Sequence, residues 1–139
     1  MIAIQETAAA CVLHGTQPYR SAQGTVYAPG VSSQTAGSSV LFLGMVTLPA
    51  GERTKAHIHE HHESAFYLLS GRDVELWSGP RLEHRSVARA GDYLFIPAGV
   101  PHVAVNRSSN EQAVFIGARN EPTASESVLM MPDLDACVP

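Results

Sequence analysis

Apolar residues in this chain come in short runs closed by glycine and proline, not in the spacing of a helix face. No window of a dozen residues places apolar side chains at i, i+3, i+4 and i+7 with polar residues between, so the pattern predicts little helix. Runs at 39–48 (SVLFLGMVTL), 65–69 (AFYLL), 74–77 (VELW), 82–88, 93–96 (YLFI), 102–105, 112–118 and 128–131 predict strands. Turn signals such as Pro49-Ala50-Gly51, Ser70-Gly71-Arg72-Asp73 and Ser78-Gly79-Pro80 separate them. Short strands with turns at this spacing predict an all-β sandwich or barrel. The polar stretch 32–39 (SSQTAGSS) reads as a loop, and residues 132–139 (PDLDACVP) as a tail that packs over the body or frays.

One segment breaks the alternation. AHIHEHHESAFY, residues 56–67, holds four of the chain's seven histidines and two glutamates. In a strand, residues i and i+2 share a face, so His57 and His59 point the same way and could share one ion. Taken alone, the pair fits a polar surface strand equally well. A second segment, GDYLFIPAGVPH at 91–102, runs a Gly-Asp turn into an apolar strand, turns at Pro97-Ala98-Gly99 and opens the next strand with His102.

These two segments resemble the paired motifs of the cupin superfamily. Gly91, Pro97, Gly99, His102 and Asn106 meet every fixed position of the second motif, G-x5-P-x-G-x2-H-x3-N. Gly51, His57, His59 and Gly71 meet the first, G-x5-H-x-H-x3–4-E-x6-G. The resemblance covers about residues 38–120 and implies a double-stranded β-helix, or jelly-roll barrel, in a single domain spanning 1–139. It also implies that His57, His59 and His102 converge on one divalent metal ion. The fourth ligand is where the chain departs from the pattern. Counted forward from His59, Glu63 takes the position; counted back from Gly71, the position falls on Ser64. One residue flips a strand side chain to the other face. Glu63 therefore either completes a three-His, one-Glu site or points away, leaving Ser64 inward with His62 on its side and water or His62 to fill the remaining places.

The remaining chemistry-bearing residues carry plainer expectations. His61 and His62 read as a solvated connection, and His14 and His84 as surface residues. Of Phe66 and Tyr67, one lines the cavity and the other the outer layer. Trp77 and Tyr93 are expected in the core, and Asn106 to bond backbone at a strand end. Pro97 and Gly99 shape the turn that aims His102. No Ser-His-Asp set, phosphate loop or CxxC pair is present, so chemistry here rests on the metal. Imidazole donors suit Zn, Cu, Fe and Ni, and a carboxylate shifts the preference towards Fe and Mn. The expected substrate is a small oxygen-donor organic molecule, turned over in a dioxygenase-type reaction. The alternatives are isomerisation, decarboxylation or elimination, and a metal-dependent binding or sensing module without turnover.

Composition narrows the partners. The 139 residues suit one domain, and 45% hydrophobic content suits a globular one. A net charge of −4 offers nucleic acid no basic footprint. The longest apolar run, 40–46, is too short to cross a bilayer, and MIAIQET at 1–7 lacks the positive start of a secretory leader. Cys11 and Cys137 are expected as two buried free thiols in a reducing cytoplasm, although a disulfide tying the termini is conceivable. The family resemblance implies a homodimer paired through its sheets, with the segment 8–13 or the strand 128–131 contributing.

Overall fold

A computed structural model describes residues 9–139. The leader reading of 1–7 and Ala8 of the expected dimer segment lie outside the described residues.

Among the described residues, eleven strands form two antiparallel sheets that face each other. They are β1 (Tyr19–Arg20), β2 (Val26–Val31), β3 (Phe42–Leu48), β4 (His57–Ile58), β5 (Ser64–Ser70), β6 (Val74–Ser78), β7 (His84–Ala88), β8 (Tyr93–Ile96), β9 (His102–Asn106), β10 (Ala113–Arg119) and β11 (Leu129–Met130). One sheet has the order β1-β2-β3-β10-β5-β8 and the other β11-β4-β9-β6-β7. From β4 onward the chain crosses repeatedly between the sheets, which makes the double-stranded β-helix that the motifs imply.

The inward faces follow from period-two alternation. Phe42, Val46 and Leu48 of β3, Leu68 of β5, Val74 of β6, Leu94 of β8 and Phe115 of β10 pack between the sheets with Tyr27. Gly117 makes room for this layer, because a Cβ there would lie 2.9 Å from the Phe66 ring. Phe66 can therefore pack closely against β10 and face the cavity, while the Tyr67 ring packs 5.0 Å from that of Tyr93 on the outer side, the division expected of Phe66 and Tyr67.

Strand β9 is buried on both faces. His102 and Ala104 turn inward, whereas Val103 and Val105 pack with Ala56, Leu82, Leu134 and Val138 beneath the C-terminal 3₁₀ turn, Pro132–Cys137. The tail therefore packs and does not fray. Arg53 donates to the carbonyls of Asp135 and Val138, and the Ala56 amide donates to the Asp135 carboxylate at 2.7 Å.

Several expectations need correction. Strands β1 and β2 were not expected, and a one-turn helix, α1 (Ser33–Ala36), lies in the polar loop with Ser32 as its cap. Leu82 is not in a strand: it sits in a turn with φ of 54°, and β7 begins at His84. Tyr93 is 81% exposed, because it lies on the outward side of an edge strand. Trp77 is half-buried against the outer core. The two cysteines are free as expected, but Cys11 is exposed. Among the described residues, no helix is long and apolar enough to cross a membrane.

Candidate metal centre

His57 and His102 face each other directly across the β4–β9 pairing. Residues opposite one another in an antiparallel pair project to the same side with Cβ atoms about 5 Å apart. That register is anchored by the residues just before β4. The Thr54 amide donates to the Ala104 carbonyl at 2.9 Å, the Ala104 amide donates to the Thr54 hydroxyl at 2.9 Å, and Arg53 bridges Val105. His59 follows two residues after His57 and keeps the inward side: both are buried while Ile58 between them is not. The Gly99 amide donates to the His59 carbonyl at 2.7 Å, and Gly99 itself has φ of 76°, a conformation glycine adopts without strain. The Pro97–Gly99 turn thus aims His102 and also holds the strand end that carries His59.

The result is a buried triad. Ring centroids lie 4.2 Å apart for His57–His102, 4.9 Å for His57–His59 and 5.0 Å for His59–His102. One nitrogen from each lies within 4.8 Å of the others. The Nδ1 atom of His57 is 2.6 Å from the Lys55 carbonyl, and that of His102 is 3.0 Å from the Val100 carbonyl. A carbonyl only accepts, so each Nδ1 carries the proton and each Nε2 keeps a lone pair for an ion. Burial lowers the pKa of all three imidazoles, to about 4 for His59 and about 3 for His102, and neighbouring histidines push these two the same way. All three are neutral near pH 7, the form that binds metal. Three neutral nitrogen donors in one buried cluster fit a single transition-metal ion.

Glu63 does not join them. The inward side of β5 is set by Ser64, Phe66 and Leu68, which leaves Glu63 exposed, its backbone amide bonded to Asn120 Oδ1. The bend at Glu60–His61 resets the alternation, so a count carried forward from His59 lands on the wrong side. His61 is exposed, and so are His14 and His84, as expected. His62 is buried, contrary to expectation, and its Nε2 lies 2.9 Å from the carboxylate of Glu126.

Glu126 was not singled out from the sequence. It lies between β10 and β11, and it also meets Arg119 Nε at 3.4 Å, Gln23 Nε2 at 3.2 Å and the Tyr27 hydroxyl at 3.2 Å. Burial alone would raise its pKa. The His62 hydrogen bond and the charges of His59 and Arg119 outweigh that and hold it at about 2. Its hydrogen-bond partners His62, Tyr27 and Gln23 are all distant in sequence, so no local motif could have found it. Asn106 behaves as expected, its amide donating to the carbonyls of Leu48, Pro49 and Glu111.

The triad opens on a cavity of about 50 Å³. Its walls are mostly apolar (Val46, Leu48, Phe66, Leu94, Ile96 and Phe115), with Gln23, Thr25, Tyr27 and Thr54 as the polar additions. Among the described residues, no carboxylate or lysine lines it.

An all-β double helix of strands enclosing three converging histidines is the architecture of a metal-binding jelly-roll protein. The cupin domain family model matches residues 44–117, more than half of the chain, and the protein belongs to that family. Solved structures agree on the fold. A double-stranded β-helix protein from Klebsiella pneumoniae subsp. pneumoniae is 17% identical, with a TM-score of 0.60 over 83% of this chain and 86% of that one. Oxalate decarboxylase from Bacillus subtilis, a protein with Mn(II) centres, is 19% identical with a TM-score of 0.67 over 84% of this chain. The cupin domain of Schizosaccharomyces pombe Cnp3 is 15% identical with a TM-score of 0.60 over 70% of this chain. The chain spans 30% of the length of the decarboxylase and 61% of the Cnp3 domain. No curated protein sequence matches it.

Proposed function

We propose that the protein is a metal-dependent enzyme in which His57, His59 and His102 hold one divalent transition-metal ion and a small anionic oxygen-donor molecule is turned over with dioxygen. The observation that carries this reading is a buried site of three neutral histidines with no carboxylate among them. Such a site leaves the ion its full +2 charge, which favours an enolate, catecholate or carboxylate as the incoming ligand. When bound, the ion supplies Lewis-acid polarisation and, if iron, a route for electrons to dioxygen.

The chain's own residues set the conditions. Phe66, Leu94, Ile96 and Phe115 exclude bulk water around the substrate. Gln23, Thr25 and Thr54 supply the polar part of the lining. The small cavity suits a molecule of few heavy atoms. Tyr27 lines the cavity, but burial raises its pKa and its hydroxyl faces Glu126. It is therefore not a proton acceptor for substrate. Isomerisation and elimination need a positioned base, and the absence of one among the cavity-lining residues favours redox chemistry. Decarboxylation, suggested by the likeness to oxalate decarboxylase, is the second reading.

The test is metal content of untagged protein by mass spectrometry, followed by oxygen-uptake screening of the loaded protein with 1,3-diketones, catechols and enols. Oxygen uptake that disappears in His102→Ala supports the enzyme. Ligand-induced thermal stabilisation without substrate loss would instead make the protein a binding module.

The working unit is proposed as a homodimer joined through the outer face of the six-stranded sheet. Leu43 and Met45 on β3, Ile116 on β10, Tyr67 on β5 and Tyr93 and Phe95 on β8 present a continuous uncharged surface there. Cys11 and Leu13 flank it beside a groove of about 410 Å³. A two-fold axis would bring this surface against its own copy. A monomer by analytical ultracentrifugation, unchanged by Tyr93→Lys, would overturn it.

A further inference from the structure

His57 and His102 each have Nδ1 against the carbonyl two residues upstream, but His59 has no such partner. Its Nδ1 is buried and makes no hydrogen bond. The acceptor it faces is Glu126 Oε2, 3.5 Å away. We propose that Glu126 is the positioning carboxylate of the metal centre, reaching His59 from behind and fixing the tautomer and ring orientation that present its other nitrogen to the ion. The inference rests on the triad being a metal site.

Four features of the surroundings support it. Glu126 does not line the triad's cavity. It borders a separate one of about 60 Å³ with Gln23, Tyr27 and Ser125, so it works through His59 and does not touch what binds the ion. Its other oxygen, Oε1, is held by Gln23 and Tyr27 at 3.2 Å each, which fixes the direction of Oε2. His62 donates to Oε2 at 2.9 Å and packs its ring 4.7 Å from that of His59, which accounts for burial of a histidine outside the triad. A half-ångström approach would turn the His59 contact into a hydrogen bond, and an ion on the opposite nitrogen strengthens Nδ1–H as a donor and favours that approach.

The same atoms invite a different assignment, because His59, His62 and Glu126 also offer ligand atoms within 4.8 Å of one another. Arg119 argues against a second ion there. Its Nε lies 3.4 Å from the same Oε2 atom, and its guanidinium is pinned over the Phe42 ring at 3.6 Å, so it cannot swing away without losing that stacking. A dication placed among these ligands would meet a fixed positive charge. The three histidines thus differ in a useful way. Two are oriented by main chain, which substitution leaves in place, and the third by a side chain that substitution can remove.

The test is titration of the apo protein with Co(II), read by its visible absorption, for wild type, Glu126→Ala, Glu126→Gln and Glu126→Asp, with thermal unfolding of each apo protein. Wild type is expected to bind one Co(II). Glu126→Ala is expected to bind it about 10- to 100-fold more weakly, with altered band positions and a folded apo state. Glu126→Asp is expected to recover part of the affinity. Wild-type affinity and spectrum in a folded Glu126→Ala would overturn the proposal. Two Co(II) per wild-type chain falling to one in the variant would overturn it too, by making Glu126 a ligand. If Glu126→Ala does not fold, the isosteric Glu126→Gln decides on the same criteria. His102→Ala separates the two levels: loss of Co(II) there with unchanged binding in the Glu126 variants leaves the metal centre standing and removes Glu126 from it. A folded wild type that takes up no Co(II) overturns both.

Discussion

Glu75 and Glu126 are both buried carboxylates, each gathered by several donors, yet they sit in different company. Glu75 on β6 is held by Arg85 at 2.6 Å, Arg107 at 2.8 Å and the Trp77 indole at 3.0 Å. Burial alone would raise its pKa, but these hydrogen bonds outweigh it and hold the carboxyl at about 2. Its arginines are 49% and 40% exposed, so the cluster is a strap on the outer face of the five-stranded sheet, open to solvent on its cationic side. Glu126 meets groups that are almost wholly enclosed, His59 and Arg119 at 3% exposure and His62 at 4%. The difference lies in the partners' chemistry. Where guanidinium groups are its only charged partners, as at Glu75, a carboxylate is neutralised permanently and holds structure. An imidazole with a second nitrogen passes the interaction on to whatever that nitrogen binds.

The comparison can be broken at its base, where the largest effect lies. His102→Ala is expected to abolish metal retention, read as metal per chain after dialysis, while Glu75→Gln retains the wild-type amount. The next effect separates the two carboxylates by stability. Glu75→Gln is expected to lower unfolding free energy at pH 7 by about 1 kcal/mol in urea, since it removes the negative charge that two half-exposed arginines pair with and leaves one amide oxygen to accept.

That loss carries its own pH signature. The folded Glu75 value of about 2 lies below the ordinary value of 4.5. The ionised carboxylate therefore contributes its full stability above pH 4.5 and loses it as pH falls towards 2. Wild type and Glu75→Gln should converge over that window. A smaller effect comes from salt: with half-exposed arginines, raising ionic strength from 0.1 to 1 M should narrow the gap between the two proteins by about 0.5 kcal/mol. The smallest is Glu63→Ala. Its side chain is exposed and its structural contact uses the backbone amide, so metal content should not change, and stability should move by no more than about 0.5 kcal/mol.

Legibility in the sequence followed how local each determinant is. Strands β3 and β5 to β10 were visible as short, mostly apolar runs separated by turn residues, with alternation clear in β3, β8 and β10; β8 matches residue for residue. Strand β2 was hidden by Pro29-Gly30 in its own middle, which the fold accommodates with a register shift against β3 between Pro29 and Val31. Strand β4 is two residues long, too short for any period. His57 and His59 were legible from their i, i+2 spacing and His102 from the Pro97–Gly99 turn just before it, all within short motifs. Glu63 misled because the bend at Glu60–His61 interrupts the alternation that a residue count assumes. Glu126 was out of reach, since its partners His62, Tyr27 and Gln23 lie 64, 99 and 103 residues away along the chain.

The bond from the Gly99 amide to the His59 carbonyl reaches beyond geometry. It ties the turn before one ligand to the strand end of another, so the backbone that carries the site is cross-braced before any ion arrives. An ion entering such a frame needs to order little more than the imidazole rings. The Gly99 amide proton also becomes a reporter: how slowly it exchanges with deuterium, with and without metal, measures how much of the centre's order belongs to the polypeptide and how much the ion must impose.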